Sequence, residues 1–505
     1  MSKPSKRPNR EERKTHKKKR LAAQELLREQ QKRDGTYQVQ VGVANTTSAF
    51  KTLEEERQGR EQAVDAQLQV FRAMLPIWLK QLSTLDDPRQ AKKIKHKLAV
   101  VLLFGLLCFV FQMSSRRQAN AQMSKPCFRE TLQSLFPELE SMPHADTLGR
   151  VLEKLDVDAL PSAHLALIKR FIRGKKFQNY LIQNCHPISI DGTQKLVRDG
   201  QWWEEEWLDR SGATWSQQYV TILEANLVFH NGMTLPLFSE FLSYAEGDTD
   251  TTKQDCELKA FKRLAVKIKQ EFPQLPLMIL LDGLYANGPI FYLCIEYGWD
   301  SMIVLKDKCL PSVWEEYQAL KNHEHIPYQG IWHGRKQQIS WVNAISYAFK
   351  GADGKQKILE VHMVICEEEW DEVNSDTTEI ETKTSRHAWI SGKPLTVQNV
   401  HERCNLGARF RWGIEDSHHT EKRRGYCYAH LFSHNWQAMC GFHHLMRLAH
   451  LIHAITFATP CAAKLVRKMG LREFLTFVKE TLTGPWLSKE WVAQFLARPF
   501  HLKLE

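Results

Sequence analysis

The stretch from Tyr219 to Leu305 constrains the fold more than any other. Tyr219 to Phe229 and Thr234 to Leu242 are strand-like, and the turn His230-Asn231-Gly232-Met233 separates them. Asp255 to Phe272 has the spacing of an amphipathic helix. Leu277 to Leu281 is a continuous apolar strand that ends in Asp282-Gly283. Pro289 opens a helix to about Tyr297, and Ser301 to Leu305 is a further strand. A hairpin followed by strand–helix–strand alternation predicts a mixed sheet with helices on its faces, an α/β class.

The flanks divide by composition. Residues 1–45 form a basic arm, dominated by Lys and Arg as far as Gly35 and including Lys17-Lys18-Lys19-Arg20. With few core-forming residues it is expected to be disordered or loosely helical, serving as a solvated tail, as a non-specific DNA contact or as a targeting signal. Residues 46–180 predict a helical N-terminal domain with basic residues suited to DNA, including a helix over Gln67 to Leu82 and another over His144 to Leu155, capped by Asp146 or Thr147. Residues 181–310 make the first part of the core. Residues 311–400 are polar, rich in Thr and Glu, and predict a β-rich insertion with strands at Gln337 to Tyr347, Lys357 to Cys366 and His387 to Ile390. Residues 401–505 are helical again and complete the core.

The net charge of +11 suits a polyanionic partner. The eleven cysteines form no CxxC pair and their number is odd, which argues for a reducing compartment. No signal peptide is expected, because the charged N-terminal run leads into no suitable apolar segment. The most apolar segment, Leu98 to Phe111, is shorter than the roughly 20 residues of a spanning helix and predicts a buried core helix. No membrane partner is expected.

Two acids repeat one pattern. Asp191, in Ile190-Asp191-Gly192, and Asp282, in Leu281-Asp282-Gly283, each follow an apolar strand. Ligands bind at such strand ends in open α/β sheets, and paired carboxylates there suit Mg²⁺, which prefers oxygen donors. Either Asp-Gly alone is equally a turn. A third acid lies in Arg409-Phe410-Arg411-Trp412-Gly413-Ile414-Glu415. On a helix, at about 100° per residue, Arg411, Glu415 and Lys422 fall within roughly 40° of one another, with His418 on the same stripe. The plain alternative is an i, i+4 ion pair between Arg411 and Glu415 on an exposed helix.

The arrangement resembles the DDE transposases of bacterial insertion sequences, in the IS-four-like superfamily. Their signature is Tyr, two residues, Arg, three residues, Glu, six residues, Lys. Arg411, Glu415 and Lys422 stand at that spacing, with Ala408 at the tyrosine position. Asp191 and Asp282 match the family's two aspartates, and Arg423-Arg424-Gly425-Tyr426 with His430 resemble its continuation. The resemblance covers roughly Leu98 to His450.

It implies a ribonuclease-H-like catalytic core, a catalytic and metal-binding triad of Asp191, Asp282 and Glu415, and DNA contacts from Arg409, Arg411, His418, Lys422, Arg424 and Tyr426. It implies Mg²⁺, for which Mn²⁺ could substitute. Two metals about 3.5–4 Å apart would serve an in-line phosphoryl displacement, with Asp191 bridging them. The partners implied are double-stranded DNA, as terminal inverted repeats and target site, and a second copy of the chain in a synaptic complex. The location implied is the cytoplasm, on the nucleoid. The same core could serve a structure-selective nuclease, or a decayed relative that only binds DNA.

Other signals favour plainer readings. Trp202, Trp203, Trp207 and Trp215 suit packing under a loop better than base stacking. Cys440 and His443 have the spacing of a zinc half-site but lie in an apolar helical stretch with His444, His450 and His453. Asp248, Asp250 and Asp255 precede a helix whose start they would cap or solvate. Lys306 follows a strand beside the expected site, where it could meet a phosphate or solvent.

Overall fold

A computed structural model describes residues 9–39, 42, 47–48, 50–199, 217–242, 253–324, 327–351, 354–500 and 502–504. Trp202, Trp203, Trp207, Trp215, Asp248 and Asp250 lie outside the described residues. The chain divides into two compact units, one of Met1–Val41 with Pro276–Arg409, the other of Gly42–Leu275 with Phe410–Glu505. The first is rich in strands and the second in helices, and the class is α/β with parallel and antiparallel pairing.

The helical unit opens with α2 (Leu53–Leu82), α3 (Leu98–Val110), α4 (Arg116–Met123), α5 (Pro126–Leu135), α6 (Ala145–Leu152) and α7 (Ala159–Arg173). The apolar run at 98–111 is the core helix expected of it: Val101, Leu102, Leu103 and Leu107 are fully buried. The cap of α6 is His144, two positions ahead of Asp146 and three ahead of Thr147, the expected caps, with its ring nitrogen accepting from the Asp146 amide at 3.2 Å. Then follow β1 (His186–Asp199), β2 (Gln217–Val228), β3 (Thr234–Phe241) and α8 (Lys253–Glu271). The three strands are antiparallel neighbours in the order β3-β2-β1. The unit ends with α11 (Gly413–Arg423), α12 (Trp436–Phe457), α13 (Pro460–Met469), α14 (Leu471–Thr483) and α15 (Lys489–Ala497).

Gly413 opens α11 where the helix crosses the β2–β3 hairpin. A Cβ there would fall 2.9 Å from Thr234 Oγ1 and 3.3 Å from Val228 Cγ1, so only glycine permits this approach.

The β-rich unit contains α1 (Arg10–Arg33), β4 (Leu277–Leu281), α9 (Gly288–Glu296), β5 (Asp300–Val304), α10 (Pro311–Glu324), β6 (Tyr328–Trp332), β7 (Arg335–Lys350), β8 (Gln356–Val373) and β9 (Ile380–Ser391). β4 and β5 are parallel and joined through α9, while β5-β9-β8-β7-β6 continue antiparallel. The strands of 311–400 therefore extend the sheet that β4 and β5 begin.

The arm at 1–45, expected disordered or loosely helical, is helical over Arg10–Arg33, where Asn9 and Glu12 form a reciprocal capping box and Leu27 is buried. Two expectations are corrected here. The segment 311–400 opens with a helix, α10, anchored by the buried Val313 and Tyr317 at i, i+4. Asp191 does not end its strand. β1 runs on to Asp199 because β2 pairs with it along that length. Among the described residues no single helix is long and apolar enough to cross a membrane.

Candidate active site

Within the helical unit, β1 and α11 lie side by side. Ser189 Oγ donates to the Arg411 carbonyl at 3.0 Å, and Lys422 Nζ donates to Thr193 Oγ1 at 2.6 Å. Side chains alternate along a strand, so Ser189, Asp191 and Thr193 share one face. Asp191 thus stands on the face turned to α11, midway between the two points of attachment. From Arg411 to Lys422 the helical chain rises about 16 Å, close to the roughly 13 Å from Ser189 to Thr193. Glu415 belongs to the stretch that runs alongside Asp191.

Arg411 is 5% exposed, and its Nη2 donates to Glu415 Oε1 at 2.8 Å. The i, i+4 pair is therefore formed. Arg411 Nε and Nη1 are buried and have no hydrogen-bond partner among the described residues. Two desolvated donors without acceptors are costly. The Glu415 side chain remains 36% exposed. Burial of the Lys422 amine pulls its pKa below the usual lysine value, and the carboxylates of Glu224, Glu421 and Asp191 oppose that shift.

Asp282 belongs to the β-rich unit and follows β4 directly. Its Oδ1 accepts from the Leu284 amide at 2.9 Å, and Lys306 Nζ lies 3.5 Å from its Oδ2. The turn and the strand-end carboxylate are both realised at this one residue. Gly283 makes room for the lysine, since a Cβ there would sit 2.7 Å from Lys306 Cγ.

Beneath Asp191 lies a polar network invisible to the sequence reading. Glu224 on β2 is the register partner of Asp191 and shares its face. It is wholly buried, 2.6 Å from Arg447 Nη1, 3.2 Å from His418 Nε2, and 3.0 Å from the Tyr428 hydroxyl that donates to it. Arg447 also lies 3.0 Å from Glu421, which His450 Nδ1 approaches at 2.6 Å. Burial alone would raise the Glu224 pKa, yet the Arg447 and His418 charges hold it down at about 2. Lys195, buried on β1, donates to the Tyr428 carbonyl at 2.9 Å, and burial lowers its pKa to about 8.

Two features of the chain could have found this network. Glu224 and Asn226 stand two apart among Leu223, Ala225, Leu227 and Val228. His443, Arg447 and His450 recur at i, i+4, i+7 in an apolar helix.

The other residues expected at DNA fall in different places. His418 is buried against Glu224. Tyr426 is 1% exposed, and its hydroxyl lies 2.7 Å from His453 Nδ1. Arg409 is in the β-rich unit, where its Nη2 lies 2.6 Å from Glu368 Oε1 and its guanidinium stacks over Trp332. Arg424 is exposed at the end of α11. Ala408, at the signature's tyrosine position, is 3% exposed, so a ring there would require its neighbours to move. Cys440 and His443 are buried in α12.

Residues 79–168, which run from the end of α2 into α7, match the family described as DDE_Tnp_1-associated. The match points to the DDE transposase family. It falls on the segment whose helices and basic residues suggested a DNA-binding domain, ahead of all three acids. No curated protein matches the chain.

Among the described residues no three His, Cys, Asp or Glu side chains gather as a ligand set for a metal ion. Asp191 and Glu415 belong to one unit and Asp282 to the other. The three are nevertheless chemically of one kind, carboxylates whose hard oxygen donors suit Mg²⁺.

Proposed function

We propose that the chain is a DNA transposase of the IS-four-like kind. It cuts DNA at the ends of its element and joins those ends to target DNA by phosphoryl transfer on a ribonuclease-H-like core. The observation that carries this reading is the face shared by β1 and α11, where Asp191 and Glu415 run alongside each other between Arg411 and Lys422. The family match at 79–168 supports the coarser part of this reading, a DDE transposase.

Asp191, Asp282 and Glu415 would hold Mg²⁺, or Mn²⁺ in its place. Bound there, the ions would activate the attacking oxygen and stabilise the leaving one. Glu415 orients Arg411 through Nη2, and the guanidinium would lie beside the scissile phosphate. Thr193 steers the Lys422 ammonium to the same side. The buried network fixes α11 against β1, so these groups are preorganised before DNA arrives. The partners are the terminal inverted repeats, the target duplex and a second copy of the chain in a synaptic complex.

The test is cleavage and strand transfer on DNA that flanks the coding sequence. Wild-type protein should nick or cut at imperfect inverted repeats with Mg²⁺ and join the freed 3′ end to a second duplex. Cleavage without joining would move the assignment to a structure-selective nuclease. Binding without either would leave a decayed relative.

A further inference from the structure

The ten Lys and Arg residues of α1 outnumber its four Glu, and among the described residues none of the ten forms an ion pair. This is unexpected, because α1 packs along β8, which carries Glu367, Glu368, Glu369, Asp371 and Glu372. The helix is held there by other means. His16 Nε2 lies 3.1 Å from the Asp376 carbonyl, Gln30 Nε2 donates to Asp371 at 3.3 Å, and Leu27 is buried. At about 100° per residue these three residues mark one face of α1. Arg10, Lys14, Lys18 and Arg28 fall on the opposite face, within roughly 80° of each other and with Glu25 the one acid among them, and all five are exposed.

We propose that this outward ridge of α1 binds the phosphate backbone of duplex DNA without regard to sequence, as a second DNA contact separate from the β1–α11 face. The proposal rests on the transposase reading for its partner. The ridge spans about 27 Å along the helix, more than twice the roughly 12 Å width of a major groove, so a duplex across it meets both rims. An anionic membrane fits less well. A surface-lying helix needs an apolar face beside its basic one, and the buried apolar residue of α1, Leu27, is on the docked side. The exposed Leu21 and Leu26 lie more than 100° apart around the helix and form no common face.

The experiment uses the full chain and a random-sequence duplex of about three helical turns. Affinity is measured against salt concentration for wild type, for Lys14→Gln/Lys18→Gln/Arg28→Gln, and for a charge-matched control in the same unit, Lys308→Gln/Lys350→Gln/Lys355→Gln. Glutamine keeps helix propensity, so α1 should persist. Each lost phosphate contact reduces the slope of log K against log salt by about 0.9, so the α1 variant should lose roughly 2–3 units of slope. The control should lose well under one unit, and Mg²⁺-dependent cleavage at saturating DNA should be unchanged in both.

An unchanged slope in the α1 variant, or an equal loss in the control, overturns the proposal. So does a loss confined to binding of phosphatidylserine–phosphatidylcholine vesicles. Cleavage by wild type separates the two claims: if it persists while the slope does not move, the ridge fails and the transposase reading stands.

Discussion

Both units bury carboxylates against arginine, and Glu368 in one and Glu224 in the other differ in what they hold together. In the β-rich unit, Glu368 accepts from Gln337 at 2.7 Å and Ser385 at 3.0 Å, and lies 2.9 Å from Arg335 and 2.6 Å from Arg409. Gln337 and Ser385 are its register partners on β7 and β9, so the cluster pins three adjacent strands. In the helical unit, Glu224 pairs with Asp191 in register and reaches His418 on α11 and Arg447 on α12. The first cluster locks a sheet to itself. The second locks a strand to the helix of Glu415. Buried charge is expensive in either place, but only in the second does it set the spacing of two acids that would hold a metal.

The hardest test of that difference replaces the acids themselves. Glu415→Gln, Asp191→Asn and Asp282→Asn should each lower Mg²⁺-dependent cleavage by at least about a thousandfold, the scale of losing a main electrostatic element of catalysis. DNA binding in a filter or anisotropy assay should stay within a few-fold of wild type. Full cleavage by Glu415→Gln would remove α11 from the site. Full cleavage by Asp282→Asn would confine the chemistry to the helical unit.

Next come the two buried carboxylates. Glu368→Ala takes the carboxylate from Arg409, and Glu224→Ala takes one of the two buried carboxylates from Arg447; breaking such a buried pair costs about 3–5 kcal/mol. Denaturant unfolding should show losses of that size for both. The comparison lies in cleavage per folded molecule: Glu368→Ala should retain it, and Glu224→Ala should lose it as α11 shifts from β1. Equal retention in both would reduce the network under Asp191 to ordinary packing.

Acid sharpens the same contrast. Both carboxyls sit below the usual range, Glu224 at about 2 and Glu368 lower still, because charged and hydrogen-bonding partners outweigh the effect of burial. A depressed folded pKa gives stability that is complete above the unfolded value of 4.5 and is lost as pH falls towards the folded one. Wild type should therefore weaken between about pH 4.5 and 2. Removing either carboxyl should flatten its share of that slope, which unfolding free energies measured across that range would reveal.

What was legible in the chain follows from where each element gets its stability. β4 and the β2–β3 hairpin announce themselves, because Leu277–Leu281 is uniformly apolar and Asn231-Gly232 interrupts two strand-like runs. α1 does not, because it has almost no apolar face of its own and is held through Gln30, His16 and a single leucine. α10 is similarly quiet, with two buried anchors among polar residues. At the site, spacing was enough to group Arg411, Glu415 and Lys422, since one helix carries them. It could not show that Tyr426 and His418 point inward, or that Glu224 faces Asp191, because those facts depend on strand pairing and on a helix distant in sequence.

The smallest expected effect concerns the hydrogen bond that ties Lys422 to β1. Lys422→Ala removes a phosphate contact and should flatten the salt dependence of specific binding by about 0.9. Thr193→Val leaves the ammonium in place and removes only its acceptor, at nearly constant volume. Thr193 is buried, so the freed amine must turn to solvent or to Asp191. A charge that keeps its sign and loses its aim should leave the salt slope unchanged and lower the cleavage rate by about tenfold, about 1.4 kcal/mol of positioning. If Thr193→Val instead flattened the slope as Lys422→Ala does, Thr193 itself would be the phosphate contact. The register between β1 and α11 would then bear on binding more than on chemistry.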